Sequence, residues 1–124
     1  MQTCLIIDES SVIRKVATRI IFQLDFTVAN AASGAEAMEM LGQRELPDII
    51  IVSGNLSDVP AETFVKSVRA MPQGAKPVVL ACLVEANLGL MTRLKRAGCT
   101  GFIYKPFTRQ SLGDWLSPYV TKAA

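Results

Sequence analysis

The sequence predicts an α/β fold, a five-stranded parallel sheet with helices on both faces. The chain has 124 residues, of which 50% are hydrophobic and 19% charged, which is enough to bury a core. Five short apolar runs alternate with segments of helical periodicity. The run over residues 49–52 is apolar and β-branched throughout, as in a strand buried on both faces. The length predicts one domain over residues 1–124.

The first strand covers residues 4–7 and ends at two acidic residues. Ser10 and Ser11 can cap the helix that follows, because a serine hydroxyl accepts hydrogen bonds from the first amides of a helix. The apolar residues of this helix have the spacing of one buried face: Ile13, Val16, Ala17, Ile20 and Leu24.

The second and third units follow the same pattern. Residues 26–31 form the second strand, and the capping box of Ser33 and Glu36 begins a helix that ends near residue 42. Residues 49–52 form the third strand, and Pro60 suits the first turn of the third helix. The inward residues of that helix are Phe64, Val65 and Val68.

The last two units complete the predicted sheet. Residues 77–82 form the fourth strand and residues 102–104 the fifth. The fourth helix has a buried stripe of Leu90, Met91, Leu94 and Ala97. Thr108 caps the fifth helix, whose inward residues are Leu112, Trp115, Leu116, Tyr119 and Val120. Gly113 and Pro118 should make this helix kinked or short, since proline breaks the hydrogen-bond ladder.

Composition excludes several classes of function. The chain has no histidine, which removes histidine-based triads and most zinc sites. Cys4, Cys82 and Cys99 are widely spaced, which favours three reduced thiols in a reducing compartment. No apolar run approaches the roughly 20 residues of a membrane helix, and residues 1–3 lack the basic start of a signal peptide. We expect a cytoplasmic protein that does not enter a membrane.

Charge is distributed unevenly along the chain. Residues 1–62 contain four basic and nine acidic residues, a net charge of −5. Residues 63–124 contain nine basic and two acidic residues, a net charge of +7. This asymmetry predicts a basic face for an acidic partner or a nucleotide, and solvated surface charge is the alternative interpretation.

Polar motifs stand at the ends of the predicted strands. They are Asp8-Glu9-Ser10-Ser11 after the first, Pro47-Asp48 before the third and Lys105-Pro106-Phe107 after the fifth, and Arg14 and Ala97-Gly98 fit the same pattern. In order and spacing, these motifs resemble the receiver domain of bacterial two-component response regulators, of the single-domain, chemotaxis-regulator kind. The resemblance covers the whole chain and implies the flavodoxin-like receiver fold.

The resemblance also assigns roles to individual positions. In the family, an acidic pair after the first strand holds Mg²⁺, and an aspartate at the end of the third strand accepts a phosphoryl group from a histidine kinase. A hydroxyl residue ends the fourth strand and a lysine follows the fifth. Asp8, Glu9 and Lys105 match this pattern. Ser53 stands where the acceptor aspartate should be and Cys82 where the hydroxyl should be, so a degenerate pocket is predicted.

This pocket predicts a receiver that cannot be phosphorylated and is not an enzyme. A serine hydroxyl needs an activating base, and a serine phosphate is a stable ester rather than a labile anhydride. Lys105 is expected to form a structural ion pair with Asp8 and Glu9. We expect no cofactor, with Mg²⁺ bound weakly at most by Asp8 and Glu9. A receiver with an unusual phosphoacceptor remains an alternative.

A partner face is predicted at helix four, strand five and helix five. Its residues are Arg93, Lys95, Arg96, Phe102 and Arg109. The resemblance implies a protein partner, a histidine kinase or another signalling protein, or a dimer formed through this face, with nucleic acid an improbable ligand. The alternative is that the basic face senses a nucleotide such as cyclic di-GMP.

Overall fold

Five parallel strands form one sheet in the order β2-β1-β3-β4-β5 in the computed structural model, which describes residues 2–120. The strands are β1 (Thr3–Ile7), β2 (Thr27–Ala31), β3 (Ile49–Ser53), β4 (Val78–Leu83) and β5 (Gly101–Tyr104). The helices are α1 (Ser11–Phe22), α2 (Gly34–Leu41), α3 (Ala61–Arg69), α4 (Leu88–Ala97) and α5 (Arg109–Leu116). The predicted α/β class and the five strand–helix units are confirmed, and each strand bound lies within one residue of its predicted position.

The core lies in two layers, one on each face of the sheet. Alternate strand residues point to opposite faces, so Ile50 packs toward α2, α3 and α4 while Ile51 packs toward α1 and α5. Both are almost fully buried, at 0% and 4% exposure. The prediction that β3 is covered on both faces is confirmed, and its carboxyl end is thereby held at the centre of the sheet.

The predicted buried face of α1 is partly wrong. Val16 is 40% exposed, whereas Ile21, which was not predicted to face inward, is fully buried. Leu24 lies beyond the last residue of the helix, Phe22. A short apolar stripe fits two neighbouring helix orientations, and packing against β1 and β2 selects the one that buries Ala17, Ile20 and Ile21.

Helix α5 is short, as Gly113 and Pro118 predict. It ends at Leu116, and a 3₁₀ turn over Ser117–Tyr119 follows. Tyr119 is therefore in this turn and Val120 beyond it, so neither belongs to the α5 stripe. Proline has no amide hydrogen to continue the α-helical ladder, which explains the change of helix type.

Arg69 of α3 connects several segments near the amino ends of β4 and β5. Its Nε donates to the carbonyl of Gly98 at 2.9 Å. Its Nη1 donates to the carbonyls of Gly74 at 2.9 Å and Pro77 at 2.7 Å. Its Nη2 donates to Thr100 Oγ1 at 3.3 Å. One side chain thus joins the α3–β4 connection to the end of α4 and the approach to β5.

Within residues 2–120, no helix combines the length and the apolar character needed to cross a bilayer.

Candidate functional site

The candidate site lies at the carboxyl edge of the sheet. Asp8 follows β1, Ser53 is the last residue of β3, and Lys105 follows β5. The amide of Lys105 donates a hydrogen bond to the carbonyl of Leu83 in β4. Ser53 is in register with Cys82 of β4. Because the carboxyl ends of parallel strands meet at one edge, four residues that are distant in sequence come together.

Lys105 is the centre of this cluster. Its ammonium group is 2.9 Å from Asp8 Oδ2 and 3.1 Å from Ser53 Oγ. The side chains of Lys105 and Asp8 are only 14% and 7% exposed. Asp8 Oδ1 accepts a further hydrogen bond from the amide of Ser10 at 2.9 Å. Both charges are therefore shielded from water and satisfied by protein groups.

Glu9 does not join this cluster, so the expected ion pair between Lys105 and Glu9 is wrong. Glu9 is exposed and turns toward the β3–α3 loop. Its Oε2 accepts hydrogen bonds from the amide of Ser57 at 2.9 Å and from the Ser57 hydroxyl. Asp8 supplies the carboxylate that contacts the ammonium, and the longer Glu9 side chain holds the loop instead.

Ser53 is buried, with 3% exposure, and accepts two hydrogen bonds. Its Oγ accepts one from Lys105 and one from the amide of Asn55 at 3.2 Å. Within residues 2–120, no hydrogen bond joins this hydroxyl to a carboxylate. A serine becomes a strong nucleophile only when a base takes its proton, and the groups around Ser53 donate rather than accept.

Cys82, which the resemblance places where the family has a hydroxyl residue, is deeply buried. It is 1% exposed, packs in the core layer under α1 and α5, and precedes Leu83, the last residue of β4. Burial raises the pKa of its thiol to about 11, and the charge of Asp8 acts in the same direction against that of Lys105. The thiol stays protonated near neutral pH, which favours the interpretation of Cys82 as a small apolar residue.

A second set of hydrogen bonds that holds the β3–α3 loop in place was not predicted from the sequence. Asp58 accepts hydrogen bonds from the amides of Gly34 at 3.1 Å and Ala35 at 2.9 Å, at the start of α2. Since Ser57 is held by Glu9, the loop is attached at two neighbouring residues to two different parts of the molecule. A serine–aspartate pair in a loop is a cap signal, but only tertiary structure shows which helix it caps.

These amides lower the pKa of the Asp58 carboxyl, that of Ala35 most and that of Gly34 next. A lowered pKa in the folded state stabilises the fold at pH values above the unfolded pKa, near 4, and this contribution is lost as pH falls through the folded value. We therefore expect Asp58→Asn to flatten the loss of stability that accompanies a fall in pH below about 5 in urea unfolding. Glu39→Gln, at an exposed helix position, is the control, and parallel curves for Asp58→Asn and the unmodified chain would contradict the assignment.

The predicted partner face is less continuous than expected. Arg93 turns toward α3, where its Nε lies 3.2 Å from Glu62 Oε1. Lys95 lies on the β5 side, with Nζ 5.8 Å from the centre of the Phe102 ring and a 2.8 Å hydrogen bond to the carbonyl of Thr100. Arg93 and Lys95 are two residues apart, and such positions do not share a helix face.

The other members of this face are placed nearer to prediction. Arg96 is exposed on α4, and Arg109 is exposed as the first residue of α5. Phe102 is half-buried and packs against the core layer of α2, α3 and α4. Leu88, at the start of α4, is 81% exposed, the highest value among the large hydrophobic residues in the described part of the chain.

The described residues do not form a cluster of the side chains that commonly bind metal ions. Among residues 2–120, no three or more histidine, cysteine, aspartate and glutamate side chains are grouped so that they could hold an ion.

Comparison with known proteins gives a consistent result. The family model of the response regulator receiver domain matches residues 4–117. The chemotaxis protein CheY homolog of Campylobacter jejuni is 30% identical over 114 residues, which cover 90% of this chain and 87% of the relative. The chemotaxis protein CheY of Pseudomonas aeruginosa is 29% identical over 111 residues, 89% of each chain. The structure of the chemotaxis response regulator CheY4 of Vibrio cholerae aligns with a TM-score of 0.90 at 28% identity, covering 96% of this chain and 98% of that one.

Proposed function

Because the chain belongs to the response regulator receiver domain family, we propose that it is a receiver that works without aspartyl phosphorylation, as a protein-interaction module in two-component signalling. It acts as a binding protein and not as an enzyme. The observation that carries the proposal is Ser53, which occupies the end of β3, where the resemblance places the acceptor aspartate, and is hydrogen-bonded to Lys105.

The chemistry around Ser53 supports this proposal. A carboxylate attacks phosphorus as an anion, whereas a serine hydroxyl must lose a proton to a base. The charged group in contact with Ser53 is the Lys105 ammonium, which donates a hydrogen bond to Ser53 and forms an ion pair with Asp8. These contacts favour a hydroxyl that serves as a hydrogen-bond acceptor in a closed polar cluster.

The residues at this site also do not fit the Mg²⁺ ion that the resemblance implies. Mg²⁺ requires oxygen ligands in near-octahedral geometry, with charge supplied by carboxylates. The two oxygens of Asp8 accept hydrogen bonds from Lys105 and Ser10, and Glu9 is engaged by Ser57. Ser53 contributes no charge where the family has its third carboxylate. We propose weak Mg²⁺ binding at most and assign the ion no role.

Magnesium titration tests this reading of the pocket. We expect NMR spectra of the unmodified chain to change little at low millimolar Mg²⁺. Ser53→Asp adds a carboxylate to a site of hard oxygen ligands and should tighten binding by at least about tenfold. Ser53→Asn introduces a side chain of the same size as aspartate but without its charge, so this variant should bind Mg²⁺ as weakly as the unmodified chain does. Saturation of the unmodified chain well below 1 mM would show that the pocket is a working cation site, contrary to the proposal.

The proposed partner is a histidine kinase or another signalling protein, bound at α4, β5 and α5. Leu88 offers an exposed apolar contact on this surface, and Arg96 and Arg109 contribute exposed positive charge. A dimer through the same surface is an alternative use of it. Nucleotide sensing is less well supported, because Arg93 and Lys95 turn to opposite sides of α4 and each already has a partner.

A further inference from the structure

A groove of about 630 Å³ runs along α1 beside β2, on the opposite face of the sheet from α4. Its helical wall contains Ser11, Lys15 and Phe22, whose spacing places them on one side of α1. Asn30 of β2 contributes to the other wall. Strand β2 is at the edge of the sheet, so this groove is open at the side of the molecule.

All charged residues that line this groove are basic. They are Arg14, Lys15 and Arg19, and α1 contains no acidic residue. These are three of only four basic residues among the first 62, a segment with nine acidic ones. Arg14 donates to the carbonyl of Asp8 at 2.6 Å, which leaves Lys15 and Arg19, both exposed, as the available cations.

The groove also exposes an aromatic ring. Phe22, the last residue of α1, is 68% exposed although phenylalanine is among the residues most often buried. A ligand that covered this ring would remove apolar surface from water. The groove therefore combines two available cations with one apolar contact. The first cation, Lys15, and the aromatic ring, Phe22, are about two turns of helix apart.

We propose that this groove binds an acidic peptide segment of a partner protein. Carboxylates of the segment pair with Lys15 and Arg19, and an apolar side chain packs on Phe22. The 12 residues of α1 span about 18 Å, the length of five or six extended residues. Cations and an aromatic ring set in a row along one helix match a single extended chain better than the broad surface of a bilayer. The site shares no residue with the Ser53 pocket or the α4–β5–α5 surface, so it does not depend on the proposed function.

The probe is a synthetic peptide of about ten residues, mostly glutamate with a central phenylalanine, titrated into the ¹⁵N-labelled chain at low salt. We expect amide shifts to concentrate at Lys15, Arg19, Phe22 and Asn30, and a peptide with lysine in place of glutamate to cause none. Lys15→Glu with Arg19→Glu should weaken binding at least about tenfold, and Phe22→Ser about three- to fivefold.

The matched control is Lys66→Glu with Lys76→Glu, which changes the net charge by the same amount at two exposed residues, one on α3 and one in the connection from α3 to β4. It should leave peptide affinity within about twofold of the unmodified chain. Equal weakening by both double variants would show unspecific charge attraction and overturn the proposal. The proposal would also fail if the groove variants abolished binding to phosphatidylglycerol vesicles, or self-association in light scattering, while the peptide did not bind.

Discussion

Replacing Lys105 with methionine is expected to lower the free energy of unfolding by about 3 kcal/mol. Methionine keeps most of the aliphatic stem but removes the ammonium that contacts Asp8 and Ser53. Asp8 is 5% exposed, so its carboxylate would remain buried with only the Ser10 amide as partner. Removing one partner of a buried ion pair costs more than the pair itself contributes, because the remaining charge stays desolvated.

Urea unfolding at neutral pH measures this effect, and Asp8→Asn supplies the control. In the Asp8→Asn background Lys105 no longer faces a buried carboxylate at position 8, so the further change Lys105→Met should cost markedly less than in the unmodified chain. Equal costs in the two backgrounds would mean that the ammonium stabilises the fold through something other than Asp8. An unchanged unfolding midpoint for Lys105→Met would show that Lys105 is dispensable for stability.

The second large effect is expected at Arg69. Arg69→Met should destabilise the chain by about 3 kcal/mol, because the carbonyls of Gly74, Pro77 and Gly98 lose the charged donor of their part-buried hydrogen bonds. Hydrogen bonds to charged groups are among the stronger ones in proteins. The measurement is again urea unfolding, with Arg96→Met as the matched control, since Arg96 is an exposed residue of the neighbouring helix.

The control variant should change the free energy of unfolding by no more than about 0.5 kcal/mol. If Arg69→Met and Arg96→Met were equally mild, the four hydrogen bonds of Arg69 would add little to stability. Arg69→Lys should fall between the two, because a lysine ammonium cannot reach the several acceptors that the planar guanidinium reaches at once.

The placement of the central cluster could be predicted from the sequence, because it depends on strand order rather than on side-chain detail. Once the apolar runs are assigned to parallel strands, the ends of β1, β3 and β5 must lie at one edge. That argument places Asp8, Ser53 and Lys105 together, and the observed distances agree.

The remaining contacts depend on choices that a sequence pattern does not encode. Glu9 is adjacent to Asp8 in sequence but reaches a different partner, Ser57, in a loop whose path is set by tertiary packing. Asp58 caps a helix that is distant in sequence. The direction of Arg93 depends on Glu62 of the neighbouring helix rather than on the charge density of α4. The sequence therefore indicates where charge is concentrated on the surface, but not which partner each charged side chain contacts.

The central claim is that this receiver cannot form an aspartyl phosphate, and intact mass spectrometry tests it directly. The chain is incubated with phosphoramidate and Mg²⁺ and weighed before and after treatment with hydroxylamine, which cleaves acyl phosphates but not serine phosphate. We expect an unchanged mass throughout, because the Ser53 hydroxyl accepts hydrogen bonds from Lys105 and from the amide of Asn55, and neither group can take its proton. A stoichiometric gain of one phosphoryl group that hydroxylamine removes would contradict it.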